Sequence, residues 1–244
     1  MTTSVYRYMP IHRLWQMLST GKIFFLRTTK WDDPFEAFLA KRYCTAKEQN
    51  FDLINSDKYF LCCTTKSERD HFWRNYTPNK DGVRVTFDLS SLRRIDSRII
   101  AKDVRYPPRD EIRDLLKNIA KKTLTEAQLT DLYFIKRKAF EDEDEYRLML
   151  EDKSHSGDAI GIDLRPDMVI TRILFDPRID ADTYERHKQF IHNQFGKLTL
   201  RHSRLYNPEK AFPEMKRPST ASAVRSARGG PASGEVQRYS RKRR

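Results

Sequence analysis

The chain has 244 residues, 38% of them hydrophobic, and 47 Lys/Arg against 34 Asp/Glu give a net charge of +13. That length suits one sizeable core rather than two large domains. No apolar run approaches the roughly 18 residues of a membrane span, and residues 1–6 lack the basic-then-apolar order of a signal peptide.

Val5–Met9 alternates as a short strand, and Pro10 opens a helix with Ile11, Leu14, Trp15 and Leu18 on one stripe and Gly21 as its stop. Lys22–Leu26 reads as a second strand, buried on both faces by its continuous apolar character. Residues 28–36 form a loop, and Pro34 starts a helix to about Arg42 with Asp33 as its cap. Lys58–Thr64 is a buried strand, 67–76 a short helix and 82–87 an alternating strand. Arg98–Tyr106 is a further strand. Two helices follow, one carrying Ile112, Leu115, Leu116 and Ile119, the other opened by a capping-box pattern at Thr125–Gln128 and running to about Lys138. Strands at 158–163 and 168–175, a helix at 182–195 and a strand at 197–202 complete the pattern. Strands and helices mix without a regular βα period. The expected fold is therefore α+β, a single domain with a mixed, largely antiparallel sheet flanked by helices.

From Pro208 the composition turns to Pro, Ser, Ala, Arg and Gly. This tail holds 10 Lys/Arg and 3 Asp/Glu, which leaves only +6 on residues 1–207. The reading is an α+β domain over 1–207 and a disordered basic tail over 208–244, open to nucleic-acid contact. Cys44, Cys62 and Cys63 make no disulfide framework, so a reducing, cytoplasmic compartment is expected. No Gly-rich phosphate loop and no HExxH metal signature is present.

The densest chemistry lies in 136–150, where a basic run meets five consecutive acids and a strand-like segment. If 143–150 is extended, Glu143, Glu145, Arg147 and Met149 line one face, with about 7 Å between successive same-face positions. The row is either a polar ligand site or a surface ladder in which the Glu145–Arg147 pair contributes at most about 1 kcal/mol. Asp32, Asp33 and Glu36 form a second acidic group, either a helix cap or, with Glu143 and Glu145, a divalent-metal cluster. Trp73 and Tyr76, with Arg69 and Arg74 nearby, either stack a base or pack in the core.

These motifs resemble a known family. Tyr6-Arg7-Tyr8 before a helix, the loop from Trp31 to Glu36, Phe72–Tyr76 with Gly82-Val83, the set Lys136, Phe140, Glu143, Glu145 and Arg147, and His202–Tyr206 together resemble the bacterial domain-of-unknown-function family two-nine-seven-one. Asp32 stands where that family usually has Asn, and Phe140 where it usually has Trp. A remoter resemblance is to ADP-ribosyltransferases, which begin with a strand bearing Arg or His and carry a Glu that contacts the nicotinamide ribose on a later strand. It implies NAD as substrate. Arg7 would then hold phosphate, Glu143 or Glu145 would face the ribose, Arg147 would offer bidentate donors to a pyrophosphate, Trp73 and Tyr76 would wall the pocket, and Asp33 would sit at its rim. The leading expectation is thus an NAD-dependent ADP-ribosyltransferase-like toxin or defence effector. The alternatives are a non-enzymatic module that binds nucleic acid or a protein partner, and a metal-dependent nuclease.

Overall fold

The computed structural model describes residues 3–207 apart from 29, 30, 32, 34, 120, 122 and 197. The expected opening is in place as β1 (Ser4–Pro10), α1 (Ile11–Thr20) and β2 (Lys22–Arg27). The helix buries Leu14, Met17 and Leu18, and Gly21 ends it at φ 61°, donating its N–H to the Met17 carbonyl. That left-handed closure is the conformation in which glycine carries no Cβ penalty. Beyond it run α2 (Phe38–Ala46), α3 (Phe51–Asn55), β3 (Lys58–Thr64), α4 (Asp70–Tyr76), β4 (Gly82–Asp88), α5 (Leu89–Arg93) and β5 (Ile100–Asp103). The second half comprises α6 (Arg109–Ile119), α7 (Glu126–Asp131), β6 (Glu145–Glu151), β7 (Ala159–Asp163), α8 (Pro166–Val169), β8 (Ile170–Phe175), α9 (Ala181–Phe195) and β9 (Leu200–His202).

Among the described residues nine strands form one sheet in the order β5-β6-β3-β1-β4-β8-β9, with β2 and β7 as a branch from β3. Every strand pairing is antiparallel except β8 with β9. The fold is α+β with a mixed, largely antiparallel sheet. Alternation along the strands sorts side chains between its two faces. Val5, Leu61, Val85, Leu148 and Ile173 turn to a main core that includes α1 and part of α9. On the opposite face Phe60 and Met149 pack against α2 and the segment 132–135 in a second core, and Tyr8 and Leu174 pack against Phe72 and Trp73 of α4.

Four local expectations need correction. The β2 strand is half-buried: Ile23 and Phe25 enter the core while Leu26 is exposed. Its apolar run serves a core on one side and a cavity on the other. The helix after Asp33 begins at Phe38, because 35–37 form a turn whose Phe35 N–H bonds the Asp33 carboxylate; Pro34 lies outside the described residues. The capping box at Thr125 and Gln128 is formed, but α7 ends at Asp131 and passes through a 3-10 turn into extended backbone at Ile135. Finally, Glu143 closes a 3-10 helix (Lys138–Glu143) and Asp144 takes the left-handed conformation at φ 44°, so the strand starts at Glu145. Asp is among the few non-glycine residues that adopt this region readily.

Candidate functional site

The β3 strand is the origin of the site. One of its edges pairs with β6 along its whole length. Its other edge is divided: Tyr59 and Phe60 pair with β2, whereas Thr64 pairs with Tyr6 of β1. Between those two junctions the sheet forks, and the Cys62 carbonyl is left without a strand partner on that side. Arg7 fills the gap, its Nη1 donating to the Cys62 oxygen at 2.5 Å. A buried carbonyl needs a donor, and here a side chain replaces the missing ladder bond.

Above the fork lies a cavity of about 720 Å³ lined by Arg7, Asp33, Tyr76, Glu143 and Glu145, with Tyr6, Trp31, Phe60, Phe72 and Phe140 among its aromatic walls. Its volume falls within the range of small-molecule sites, roughly 300–1,000 Å³. Residues far apart in the sequence thus meet in one concavity, Arg7 from β1, Asp33 from the loop before α2, and the two glutamates from either side of the Asp144 turn. That turn is pinned to the end of β3. The Thr64 hydroxyl donates to the Glu143 carbonyl at 2.6 Å, and the Thr65 N–H donates to the Asp144 carbonyl at 3.0 Å. The Glu145 N–H is taken by the Tyr106 hydroxyl at 2.8 Å.

Five charged side chains make the floor. The Lys136 ammonium lies 2.9 Å from Glu36, 2.7 Å from Glu143 and 3.6 Å from Glu145. Arg147, 0% exposed, donates to both oxygens of Glu145, to Glu36 and to the Tyr133 carbonyl, and lies 4.4 Å from the centre of the Trp31 ring. The group carries three negative and two positive charges, so it faces the cavity with one unit of excess negative charge. Burial works against the charge of Glu145, but the adjoining Arg147 guanidinium and Lys136 outweigh it and hold that carboxyl below the usual range. Glu143 is displaced the other way: burial lifts it, and its one strong partner, Lys136, offsets only part of the effect. One carboxylate is a fixed anion and its neighbour is closer to accepting a proton. Such a division marks sites that use two carboxyls for two roles.

The structure separates the candidate residues by role. Glu143, Glu145, Arg7, Tyr76 and Asp33 all line the cavity. Asp33 is ion-paired with Arg137 at 3.1 Å, and Arg137 in turn lies over the rings of Phe35 and Phe140. Trp73 does not line it. It is 0% exposed, donates its indole N–H to Glu68 at 2.9 Å and packs edge-on against Tyr8. The helical turn of 100° per residue puts Phe72, Asn75 and Tyr76 on the cavity side of α4 and Trp73 behind them. Arg147 is likewise not a free bidentate donor, because its guanidinium is committed beneath the floor. The Glu145–Arg147 pair is a buried ion pair rather than a surface ladder. Glu36 and Lys136 join the floor through pairings that no spacing rule reveals. Asp32 lies outside the described residues. Of the remaining acids of the expected metal cluster, Asp33 pairs with Arg137 while Glu36, Glu143 and Glu145 converge on an ammonium, so a divalent ion there would have to displace Lys136. Among the described residues no group of three or more His, Cys, Asp or Glu is arranged to hold a metal.

Two adjacent thiols complete the description. Burial, with Glu145 adding to it, raises Cys62 well above the usual thiol range, and burial pushes Cys63 up to about 12. Burial thus disfavours the thiolate form of both, and the thiolate is the reactive form of cysteine.

No helix among the described residues is long and apolar enough to cross a membrane. A search of curated proteins returns no match. The block that supplies α4, Lys136 and the paired glutamates is also the part recognised at family level. Residues 72–148 match the model of DUF2971, a protein of unknown function, and bear out the resemblance to that family.

Proposed function

We propose that the cavity binds NAD and that the protein transfers ADP-ribose from it to an acceptor. The observation that carries this reading is the convergence of Arg7 and two differently tuned carboxylates, Glu143 and Glu145, on one aromatic-walled cavity over a forked sheet. Aromatic rings suit the planar bases of a dinucleotide, and the guanidinium of Arg7 suits its pyrophosphate.

In the proposed reaction the bond between ribose C1′ and the nicotinamide nitrogen breaks, and the electron pair leaves with nicotinamide as a neutral base. Positive charge grows on the ribose ring. Glu145, fixed in its ionised form by Arg147, supplies a standing negative potential beneath that ring, a contribution that needs no reorganisation. An acceptor heteroatom bonds to C1′ on the face opposite the departing nicotinamide and gives its proton to Glu143. A carboxyl raised above its usual range is the better proton acceptor of the two. Lys136 keeps the two carboxylates together despite their repulsion. Such an activity suits a toxin or defence effector working in the cytoplasm, with the basic tail as one route to a nucleic-acid acceptor.

The test is incubation with labelled NAD and with nucleic-acid and protein acceptors, scored for released nicotinamide and transferred label. Wild-type protein should release nicotinamide. Glu143→Gln should lower turnover about a hundredfold or more, the scale of removing one proton-transfer group (~10²–10⁴), while leaving NAD binding largely intact. Failure of the wild type to consume NAD with any acceptor would leave the cavity as a binding module.

A further inference from the structure

On the face of the sheet that carries the cavity, β4 and β8 present two arginines that have no ion pair among the described residues. Val83, Val85 and Phe87 of β4 and Ile173 and Phe175 of β8 turn to the main core. By alternation Arg84, Thr86, Arg172 and Leu174 turn to the other face. Arg84 stands opposite Tyr8 of β1 and Leu174 of β8, and Thr86 stands opposite Tyr6 and Arg172. Arg84 and Arg172 are therefore diagonal neighbours across one ladder, within reach of each other's long side chains.

Arg84 is only 6% exposed, yet among the described residues it has no ion pair. Its guanidinium lies 4.6 Å from the centre of the Tyr6 ring and interacts with the Tyr8 hydroxyl, while its Nε is buried without a hydrogen-bond partner. The neighbouring Thr86 hydroxyl is also buried and unpartnered. Glu68, an acid near Tyr8, accepts from Trp73 and Ser203 through one oxygen and makes no ion pair with Arg84. Arg172 is exposed and has no acidic partner among the described residues. A buried guanidinium is ordinarily paired, and an unanswered buried donor is a cost that a fold retains for a reason. Tyr6 links this patch to the cavity, since its ring belongs to the cavity wall and also carries Arg84.

We infer that Arg84, Thr86 and Arg172 form an oxyanion subsite built for a phosphate group. Two guanidinium forks supply two positive charges with planar donors, and the threonine adds a neutral donor, a set that matches a tetrahedral dianion better than a monoanionic carboxylate. The subsite stands whether the ligand of the cavity is NAD, another phosphate ester or neither.

The experiment uses the full chain. Thermal unfolding is followed in inorganic phosphate and in sodium chloride of equal ionic strength, and nucleotide binding is measured with ADP-ribose by calorimetry. Wild type should gain melting temperature saturably in phosphate beyond the chloride control. Arg84→Met, which removes an unpaired buried charge while keeping much of the volume, should melt at or above wild type without phosphate and lose the phosphate response. If the phosphate belongs to the cavity's ligand, Arg84→Met weakens ADP-ribose binding tenfold or more; if the subsite takes free phosphate, ADP-ribose binding is unchanged while the phosphate response is lost. Arg172→Gln, at an exposed position, should fold and show a weakened response, and it decides the matter should Arg84→Met not fold. A phosphate response undiminished in the variants, or absent in wild type, overturns the inference.

Discussion

Replacing Glu145 by glutamine tests whether the floor of the cavity is a buried ion cluster. Glu145 is 5% exposed and accepts from Arg147 Nε at 2.7 Å and Nη2 at 2.8 Å, with Lys136 at 3.6 Å. The amide keeps one acceptor oxygen but presents N–H groups to a guanidinium, and Arg147, 0% exposed, then keeps only Glu36 as an anionic partner. Breaking a buried pair by removing one member costs about 3–5 kcal/mol. The surviving acceptor and Glu36 place the expected loss near ~3 kcal/mol, or roughly 6–12 °C in melting temperature for a domain of this size. Glu143→Gln is the control. Its side chain is 23% exposed, it does not touch Arg147, and burial already disfavours its charge, so its loss should stay within about 1 kcal/mol. The pH dependence separates the two further. A carboxyl held below its usual range contributes stability above its unfolded pKa, and that contribution disappears as pH falls through the folded pKa. Glu145→Gln should therefore flatten the acid limb of the stability profile. A carboxyl raised by the fold acts oppositely, so Glu143→Gln should remove a loss of stability that sets in as pH rises. Chemical denaturation of both variants between acid and neutral pH is the assay. Equal, small losses in the two variants would refute the buried cluster and return Glu145–Arg147 to a solvated ladder.

Three further outcomes follow from the packing. Trp73→Ala should cost about 3–5 kcal/mol, the scale of emptying a core aromatic site, by urea denaturation; a loss under 1 kcal/mol would mean that α4 is not anchored as described. Gly82→Ala should destabilise by roughly 1–3 kcal/mol, since a Cβ there would come within 2.1 Å of the Thr77 methyl group, and Thr77 is held by Asp176 and Arg178. A chain ended at Asn207 should melt within a few degrees of the full chain, because the tail has few apolar residues to bury; a fall of many degrees would show that it packs.

The sequence exposes what depends on local pattern. Apolar alternation located β4, a continuous apolar run located β3, the Thr125–Gln128 box located the start of α7, and Gly21 located the end of α1. The spacing of Glu145, Arg147 and Met149 also gave their shared face correctly. What stays hidden depends on partners distant in sequence. The fork at Cys62 exists because β1 and β2 compete for one edge of β3, and a single-strand pattern carries no record of its neighbours. The end of α7 at Asp131 is set by Leu132, Tyr133 and Phe134 packing into the second core, where tertiary burial overrides helix propensity. Trp73 and Tyr76 are three residues apart and so only about 60° apart around the helix, yet that offset puts one in the core and the other at the mouth. Glu36 and Lys136 are visible as charged candidates, but the pairing of Glu36 with Lys136 and with Arg147 depends on the fold bringing the turn before α2 and the segment after Ile135 onto β6.

The most direct measurement is a crystal structure of the full chain grown with NAD or ADP-ribose. The account predicts the ligand over the fork, its ribose above Glu145 with Glu143 beside C1′, a phosphate on Arg7, and a base against the aromatic wall that includes Tyr76. A ligand seated elsewhere, with the cavity empty, would contradict it.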